Sequence, residues 1–109
     1  LVVSEPGNRR LMRWPLDSLK SAQGKVIISD IVSLGLAIDS EGVLYVSDAE
    51  RQDVRRYGRG ERKGMIVAGG NGAGTALNQL HHPRHIFVDR NHSVYVSDRD
   101  NHRVIKWLK

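Results

Sequence analysis

Three closely spaced histidines are the residues of this chain best suited to bind a metal ion. They are His81, His82 and His85, in the segment LHHPRH. Neutral imidazole is the commonest nitrogen ligand for zinc, so such a group raises the question of a metal site. The chain has no cysteine, which excludes thiolate metal ligands, disulfides and thiol nucleophiles. The histidines are therefore the first candidates for metal ligands.

Two carboxylates and two serines could also do chemistry, as calcium ligands or as nucleophiles. Asp39 and Asp89 each follow a short apolar run, but DSEG and DRNH are turn sequences in which the Asp side chain bonds to nearby backbone. Ser47 and Ser97 lack the G-x-S-x-G elbow of a serine hydrolase. We therefore predict that both aspartates are turn residues and that neither serine is catalytic.

A glycine-rich segment invites comparison with phosphate-binding loops. Residues 69–75 read GGNGAGT, and Gly69 and Gly74 have the P-loop spacing, but Thr75 stands where that pattern requires Lys. We interpret the segment as a connector between structural units. Its apolar residues are expected to anchor it: Ala76, Leu77 and Leu80.

The elements that position these residues follow from an internal repeat. Residues 3–14 read VSEPGNRRLMRW, residues 46–57 read VSDAERQDVRRY and residues 96–107 read VSDRDNHRVIKW, at intervals of 43 and 50 residues. The columns share Val, Ser and an acid at the start, then Leu or Val, a basic residue and an aromatic residue at the end. A repeat of this period is a repeat of architecture.

Each unit of the repeat predicts four short antiparallel strands. In the complete unit, GLAID, VLYVS, DVRRY and GMIVA are rich in β-branched and aromatic residues and are separated by turn sequences. The runs are too short for helices, which normally need about 10–12 residues. Four strands per unit of about 40–50 residues is typical of a β-propeller blade, so we predict an all-β partial propeller of antiparallel four-stranded blades.

The repeat also sets the expected domain organisation. Residues 1–34 form an incomplete first blade of three strands, residues 35–83 a complete blade plus the connector, and residues 84–109 an incomplete last blade of three strands. Because closed propellers have about 4–8 blades, we expect one propeller domain of which this chain is a fragment of about two and a half blades. The expected core includes Leu36, Ile38, Leu44, Val46, Ile86, Val88, Val94 and Val96.

Net charge and hydrophobicity restrict the kinds of partner that the chain can bind but do not identify one. The chain of 109 residues has a net charge of +5, so an acidic partner or a phosphate backbone would be attracted to it at low salt. No run approaches the ~20 apolar residues of a membrane span, so we expect no membrane partner. The cellular compartment stays open.

Residues 80–107, LHHPRHIFVDRNHSVYVSDRDNHRVIKW, resemble the NHL-repeat β-propeller family. The family pattern has a Leu and a Pro, an inner strand ending in Val-Asp, a Tyr-Val-x-Asp strand, and Asn-x-Arg-Val followed by a basic and an aromatic residue. The resemblance implies a non-catalytic module that binds other proteins. In a lyase branch of NHL-like propellers, a zinc-binding His directly follows the Pro, but here Arg84 stands there and His85 follows. Since neighbouring residues on a strand point to opposite sides, we predict no metal and no cofactor.

The repeated turn is expected to hold each blade together. Asp98, Asn101 and Arg103 surround the turn between the second and third strands, and Arg103 can reach Asp98 across the hairpin. We predict a structural role, since a reactive site has no reason to recur in every blade. The corresponding residues of the other copies are Asn8, Arg10 and Asp48. The middle copy departs from the pattern, with Arg51 and Asp53 in place of Asn and Arg.

The leading functional hypothesis is a non-catalytic recognition or scaffold module for a protein partner. Single-stranded RNA binding through a basic face is the first alternative, with Arg13, Arg56 and Lys106 in one column of the repeat as tentative contacts for RNA or an acidic partner. A metal-dependent propeller lyase or lactonase is the second alternative.

Missing blades should leave apolar faces open at both ends of the fragment, which favours self-association. The residues expected on those faces are Leu11 or Met12 in the first unit and Val104 or Ile105 in the third.

Overall fold

The chain is all-β, as a computed structural model shows for residues 2–14, 24–61 and 63–108. Within these described ranges, ten strands form three antiparallel sheets. The first sheet contains β1 (Val2–Glu5), β2 (Arg10–Arg13) and β3 (Lys25–Ser29). The second contains β4 (Leu36–Ile38), β5 (Leu44–Asp48), β6 (Asp53–Tyr57) and β7 (Met65–Gly69). The third contains β8 (Pro83–Val88), β9 (Val94–Asp98) and β10 (Arg103–Trp107).

The expected division of the strands into groups of three, four and three is confirmed. In each sheet, strands that are consecutive in the chain are hydrogen-bonded neighbours. A short 3₁₀ turn at Pro6–Asn8 joins β1 to β2 in the first sheet, and another at Arg99–Asn101 joins β9 to β10 in the third. Across the described ranges there is no α-helix, and no helix is long and apolar enough to cross a membrane.

The second sheet lies between the other two and has an apolar core on each face. Tyr45 and Val46, neighbours on β5, are both buried and point to opposite sides, as alternate residues of a strand do. Tyr45 packs in a core shared with Val96 of the third sheet. Val46 packs in a second core shared with Leu11 of the first sheet. Two apolar cores therefore hold the three sheets face to face in series.

A buried hydroxyl on β5 links the second sheet to β8 of the third sheet. The Ser47 Oγ atom donates to the carbonyl oxygen of Arg84 at 2.9 Å. It also lies 3.1 Å from the carbonyl oxygen of Gly35. In the third sheet the Oγ atom of Ser97, the equivalent residue, accepts a hydrogen bond from the amide of His85 at 2.8 Å. Both serines therefore serve to join backbone segments.

The expected core is confirmed in part. Leu44, Val46, Val94 and Val96 are buried, and Leu36, Ile86 and Val88 are partly buried. The prediction for Ile38 is wrong, because its side chain is 55% exposed. Ile38 pairs with Leu44 and shares its face towards the first sheet. Ile38 is the last residue of β4, the edge strand of the second sheet, so it lies at the margin of that core.

Two other expectations about apolar residues are corrected. Leu80 is fully buried and anchors the connector, whereas Leu77 is 81% exposed and Ala76 is also exposed. Either Leu11 or Met12 is expected on an open face, but both are buried. Leu11 packs against the second sheet, and Met12 lies against Gly24.

Candidate functional site

In the third sheet the repeated turn is organised around one buried carboxylate. Asp98 is fully buried, and its Oδ2 atom accepts hydrogen bonds from Asn101 Nδ2 and Arg103 Nε, each at 2.8 Å. Its Oδ1 atom accepts from the backbone amide of His81 at 2.6 Å. These three donors satisfy a charge that would otherwise be costly to bury. The ion pair across the hairpin is the one expected from the sequence.

The same side chains tie the glycine-rich connector to the third sheet. Arg103 donates to the carbonyl oxygens of Ala76 and Gln79, each at 2.9 Å. Asn101 donates to the carbonyl oxygen of Gly74 at 2.7 Å. Arginine has five fixed N–H donors, which suits it to bridge several acceptors at once. The turn therefore fixes the path of the chain between the second and third sheets.

The first copy of the turn has the same contacts in a more exposed setting. Asn8 Nδ2 donates to Glu5 Oε1 at 3.0 Å, and Arg10 Nε donates to the same oxygen at 2.8 Å. The side chains of Glu5 and Arg10 are 25% and 38% exposed. The hydrogen bond from Asn8 is the main cause that lowers the pKa of Glu5, and the hydrogen bond from Arg10 lowers it further.

The middle copy reaches the same end with different residues. Arg51 takes the place of the turn Asn and donates to Asp48 Oδ2 at 2.8 Å. Asp53 takes the place of the Arg and pairs with Arg55 at 3.0 Å. Asp48 and Asp53 face each other across the strands, so each carboxylate needs its own arginine. The exchange of residue types along the sequence is compensated in space.

A residue with positive φ closes the turn in all three copies, although only the first and third copies form a 3₁₀ turn. Arg9, Gln52 and His102 occupy one column of the repeat, and their φ angles are 54°, 61° and 52°. Positive φ is uncommon outside glycine, so its recurrence at one column marks a shared turn geometry.

A network of ion pairs between the first and second sheets was not anticipated from the sequence. Arg9 binds Glu50 and Asp30, with N–O distances of 2.6 and 2.9 Å. Arg51 also binds Asp30 at 2.9 Å. The hydrogen bond from Arg9 is the main cause that lowers the pKa of Asp30, and the hydrogen bond from Arg51 lowers it further. The hydrogen bond to Glu50 is the main cause that raises the pKa of Arg9. These partners are 21 or 41 residues apart, so no local pattern indicates them.

At the opposite end of the second sheet, Asp39 organises the β4–β5 turn. Its Oδ1 atom accepts from the backbone amides of Glu41 and Val43 at 2.8 and 3.0 Å, and Tyr45 Oη donates to Oδ2 at 3.3 Å. His92 Nδ1, from the third sheet, lies 3.4 Å from the same Oδ2 atom. Burial acts to raise the pKa of Asp39, but these hydrogen bonds together outweigh it and the pKa is lowered.

Asp89 repeats this arrangement in the third sheet. Its Oδ1 atom accepts from the amides of Asn91 and Ser93, and Tyr95 Oη donates to Oδ2. The hydrogen bond from the Ser93 amide is the main cause of its lowered pKa. Both aspartates are therefore turn residues, as the sequence predicts.

The basic column suggested for RNA or an acidic partner is distributed over three sheets. Arg13, Arg56 and Lys106 lie at or next to the last residue of β2, β6 and β10. Burial raises the pKa of Tyr45, and the neighbouring Arg56 acts in the opposite direction. Lys106 Nζ lies 5.3 Å from the ring centre of Tyr95, within cation–π range. The three residues lie near the same end of equivalent strands, one in each sheet, and do not form one compact cluster.

The ion pairs between arginines and carboxylates in the described ranges lie at one of the two ends of the stacked sheets. We call the end with the β1–β2, β5–β6 and β9–β10 turns the motif end. The end with the β4–β5, β6–β7 and β8–β9 loops is the basic end. All arginines in ion pairs with carboxylates in the described ranges belong to the motif end: Arg9, Arg10, Arg51, Arg55 and Arg103. At the basic end, no ion pair within the described ranges involves Arg13, Lys25, Arg56, Arg59, Lys63, Arg90 or Lys106.

The histidines named as candidate metal ligands do not all lie together. His81 and His82 stack with ring centres 4.9 Å apart, and both approach Asp100 of the β9–β10 turn. The hydrogen bond with His82 is the main cause that lowers the pKa of Asp100. His85 is an exposed residue of β8 and is not part of this group. Sequence reasoning missed Asp100 because it comes 18 residues after His82.

No protein-family model matches the chain, and a search of the curated proteins finds no significant match.

Proposed function

We propose that the three sheets are consecutive blades of an NHL-type β-propeller. The support comes from one column of the repeat: Leu11 on β2, Val54 on β6 and Val104 on β10. Leu11 and Val54 are each 0% exposed because the next sheet covers them, whereas Val104 is 72% exposed. A further blade packed in the same way would cover Val104.

The opposite faces show the same relation. Val46 and Val96 occupy one column and are buried against the preceding sheet. Val3, in the same column of the first sheet, is exposed. Exposed apolar faces of this kind normally have a partner, and further blades of the same polypeptide are the partner that the repeat favours.

We infer that the module recognises an acidic segment of a protein partner through its basic end. The observation that carries this is where the ion pairs lie: in the described part of the chain, five arginines of the motif end are used in internal ion pairs, and only exposed Arg84 and Arg99 there are not, whereas no arginine or lysine at the other end has a carboxylate partner. A rigid surface with an excess of positive charge attracts and orients an acidic partner.

The motif end has a scaffold role in this proposal. Its polar side chains hold turns, connectors and neighbouring sheets, which supports a non-catalytic module. A structural use of the repeated residues explains why equivalent contacts recur in each sheet.

Binding of a fluorescently labelled Glu-rich peptide tests the proposal. We expect the variant with Arg59→Ser and Arg90→Ser to bind the peptide about tenfold more weakly at low salt. The matched control carries Arg84→Ser and Arg99→Ser, exposed arginines of the motif end. It should change the affinity by less than about twofold. Equal losses in both variants would mean that only net charge matters, which would contradict a basic recognition surface.

Single-stranded RNA is the alternative that the same positive charge would attract. If it is the partner, affinity for an oligonucleotide should fall steeply from low to physiological salt, because each neutralised phosphate releases counterions. Replacing Arg13, Arg56 and Lys106 by Ser should then flatten that dependence. Tighter binding of the oligonucleotide than of the peptide at physiological salt, with such a flattened slope, would replace the protein partner by RNA.

A further inference from the structure

We propose that His81, His82 and Asp100 form a binding site for a divalent late transition metal such as Zn²⁺. The site lies where the connector enters β8, beside the β9–β10 turn. It is separate from the basic end, and it does not include His85, the third histidine of the sequence segment.

The donor atoms already converge on one small volume. One ligand atom from each of the three residues lies within 4.8 Å of the others. His81 Nε2 is 3.7 Å from Asp100 Oδ2, and His82 Nδ1 is in hydrogen-bond contact with the same oxygen. Zinc bonds of about 2.0–2.2 Å in a tetrahedral site place neighbouring ligand atoms roughly 3.3 Å apart. Small side-chain rotations would therefore complete the ligand set.

Backbone hydrogen bonds hold the segments that carry these donors. The Asp100 amide donates to the carbonyl oxygen of His81 at 3.1 Å, which joins the two sides of the site directly. The His81 amide donates to buried Asp98, and the His82 amide donates to Gln52 Oε1 at 2.6 Å. A site whose ligand-bearing backbone is held in place before binding loses less conformational entropy when the metal binds.

The ligand types select the class of metal. Two imidazole nitrogens and one carboxylate suit zinc, copper or nickel better than calcium or magnesium, which prefer oxygen ligands. All three side chains are partly exposed, so an ion can enter from solvent. Three protein ligands leave a fourth tetrahedral position for water. The metal would link the connector to the last hairpin and so stabilise the third sheet.

The test is calorimetric titration of ZnCl₂ into the tag-free chain. We expect one Zn²⁺ per chain, and a loss of affinity of more than about tenfold in His82→Asn and in Asp100→Asn, since removing even a second-shell partner costs 10–100-fold. Asn is chosen at position 82 because it tolerates the positive φ of 55° found there. His81→Asn is a third variant, and circular dichroism without metal confirms that each variant is folded.

His85→Asn is the matched control, because it removes a nearby exposed imidazole that is not in the group. It should bind Zn²⁺ with unchanged affinity, and Zn²⁺ should raise the melting temperature of this control and of the wild-type chain. The proposal is overturned if the wild-type chain binds no Zn²⁺, or if the folded position-82 and position-100 variants bind it as tightly as the control.

Discussion

The second and third sheets have matching columns of residues but differ in what covers them. Val54 and Val104 occupy one column, yet Val54 is fully buried and Val104 is largely exposed. Ala37 and Phe87 occupy another, and Ala37 packs in the core between the sheets whereas Phe87 is exposed. The comparison shows that burial at these columns depends on a neighbouring sheet, and that the strand pattern alone does not determine it.

The largest expected effect comes from placing a charge in this column. Val54→Asp should lower the free energy of unfolding by about 4 kcal/mol or more, because an unpaired carboxylate would be buried between two sheets. Val104→Asp should change it by less than about 0.5 kcal/mol, as is usual for surface positions. Urea denaturation followed by circular dichroism measures both, at a chain concentration low enough to keep the self-associating chain monomeric.

Similar losses in the two variants would break the comparison. They would mean that Val104 is covered in solution, or that the second sheet does not depend on its neighbours. Val54→Ala is a milder variant for the case in which Val54→Asp does not fold. It should still be clearly less stable than Val104→Ala.

A second comparison concerns the repeated turn in the third and first sheets. Asp98 is fully buried, whereas the Glu5 side chain is 25% exposed. Arg103→Ala should therefore cost about 2–3 kcal/mol, because it leaves a buried carboxylate without its arginine and frees the connector. Arg10→Ala should cost less than about 1 kcal/mol, as partly exposed ion pairs do.

Chemical denaturation of both variants provides the measurement. For Arg103 the expected loss exceeds the roughly 1 kcal/mol that a turn residue or partly exposed ion pair typically contributes. A loss for Arg103→Ala no larger than that for Arg10→Ala would show that the contacts to the connector contribute little. Loss of peptide binding at unchanged stability would instead make the turn a binding site.

Local sequence patterns were enough to predict the strands and the turns. Alternation of apolar residues and the turn sequences around Asp39 and Asp89 are local signals, and the structure follows them. The exposure of Ile38 could not be predicted this way, because it depends on how the end of edge strand β4 lies against the neighbouring sheet. Likewise the grouping of His82 with Asp100 depends on how the connector packs against the last hairpin.

The turn carboxylates give a smaller effect that depends on pH. The pKa of Asp39 and that of Asp89 are lowered by folding, so their charged forms stabilise the fold above the unfolded pKa of about 3.9. That contribution is lost as the pH falls through the lower folded value. Asp39→Asn and Asp89→Asn should therefore flatten the loss of stability below about pH 4, because Asn keeps an acceptor but does not titrate.

The size of this effect should differ between the two sheets. The Asp39 side chain is almost fully buried and has His92 of the third sheet beside it, whereas Asp89 is only partly buried. We expect Asp39→Asn to alter the acid limb more than Asp89→Asn does, in denaturation midpoints measured at pH 7, 4 and 3. Identical curves for wild type and both variants would mean that neither carboxylate is specifically stabilised in the folded chain.

Sedimentation velocity over a range of concentrations tests most directly whether the outer sheets are blades without neighbours. The wild-type chain should self-associate through its open faces, and Val104→Asp combined with Phe87→Ser should shift it towards monomer. Leu77→Asp, which changes an exposed connector residue, should sediment like wild type. A wild-type chain that stays monomeric at every concentration, with cooperative unfolding, would contradict the account.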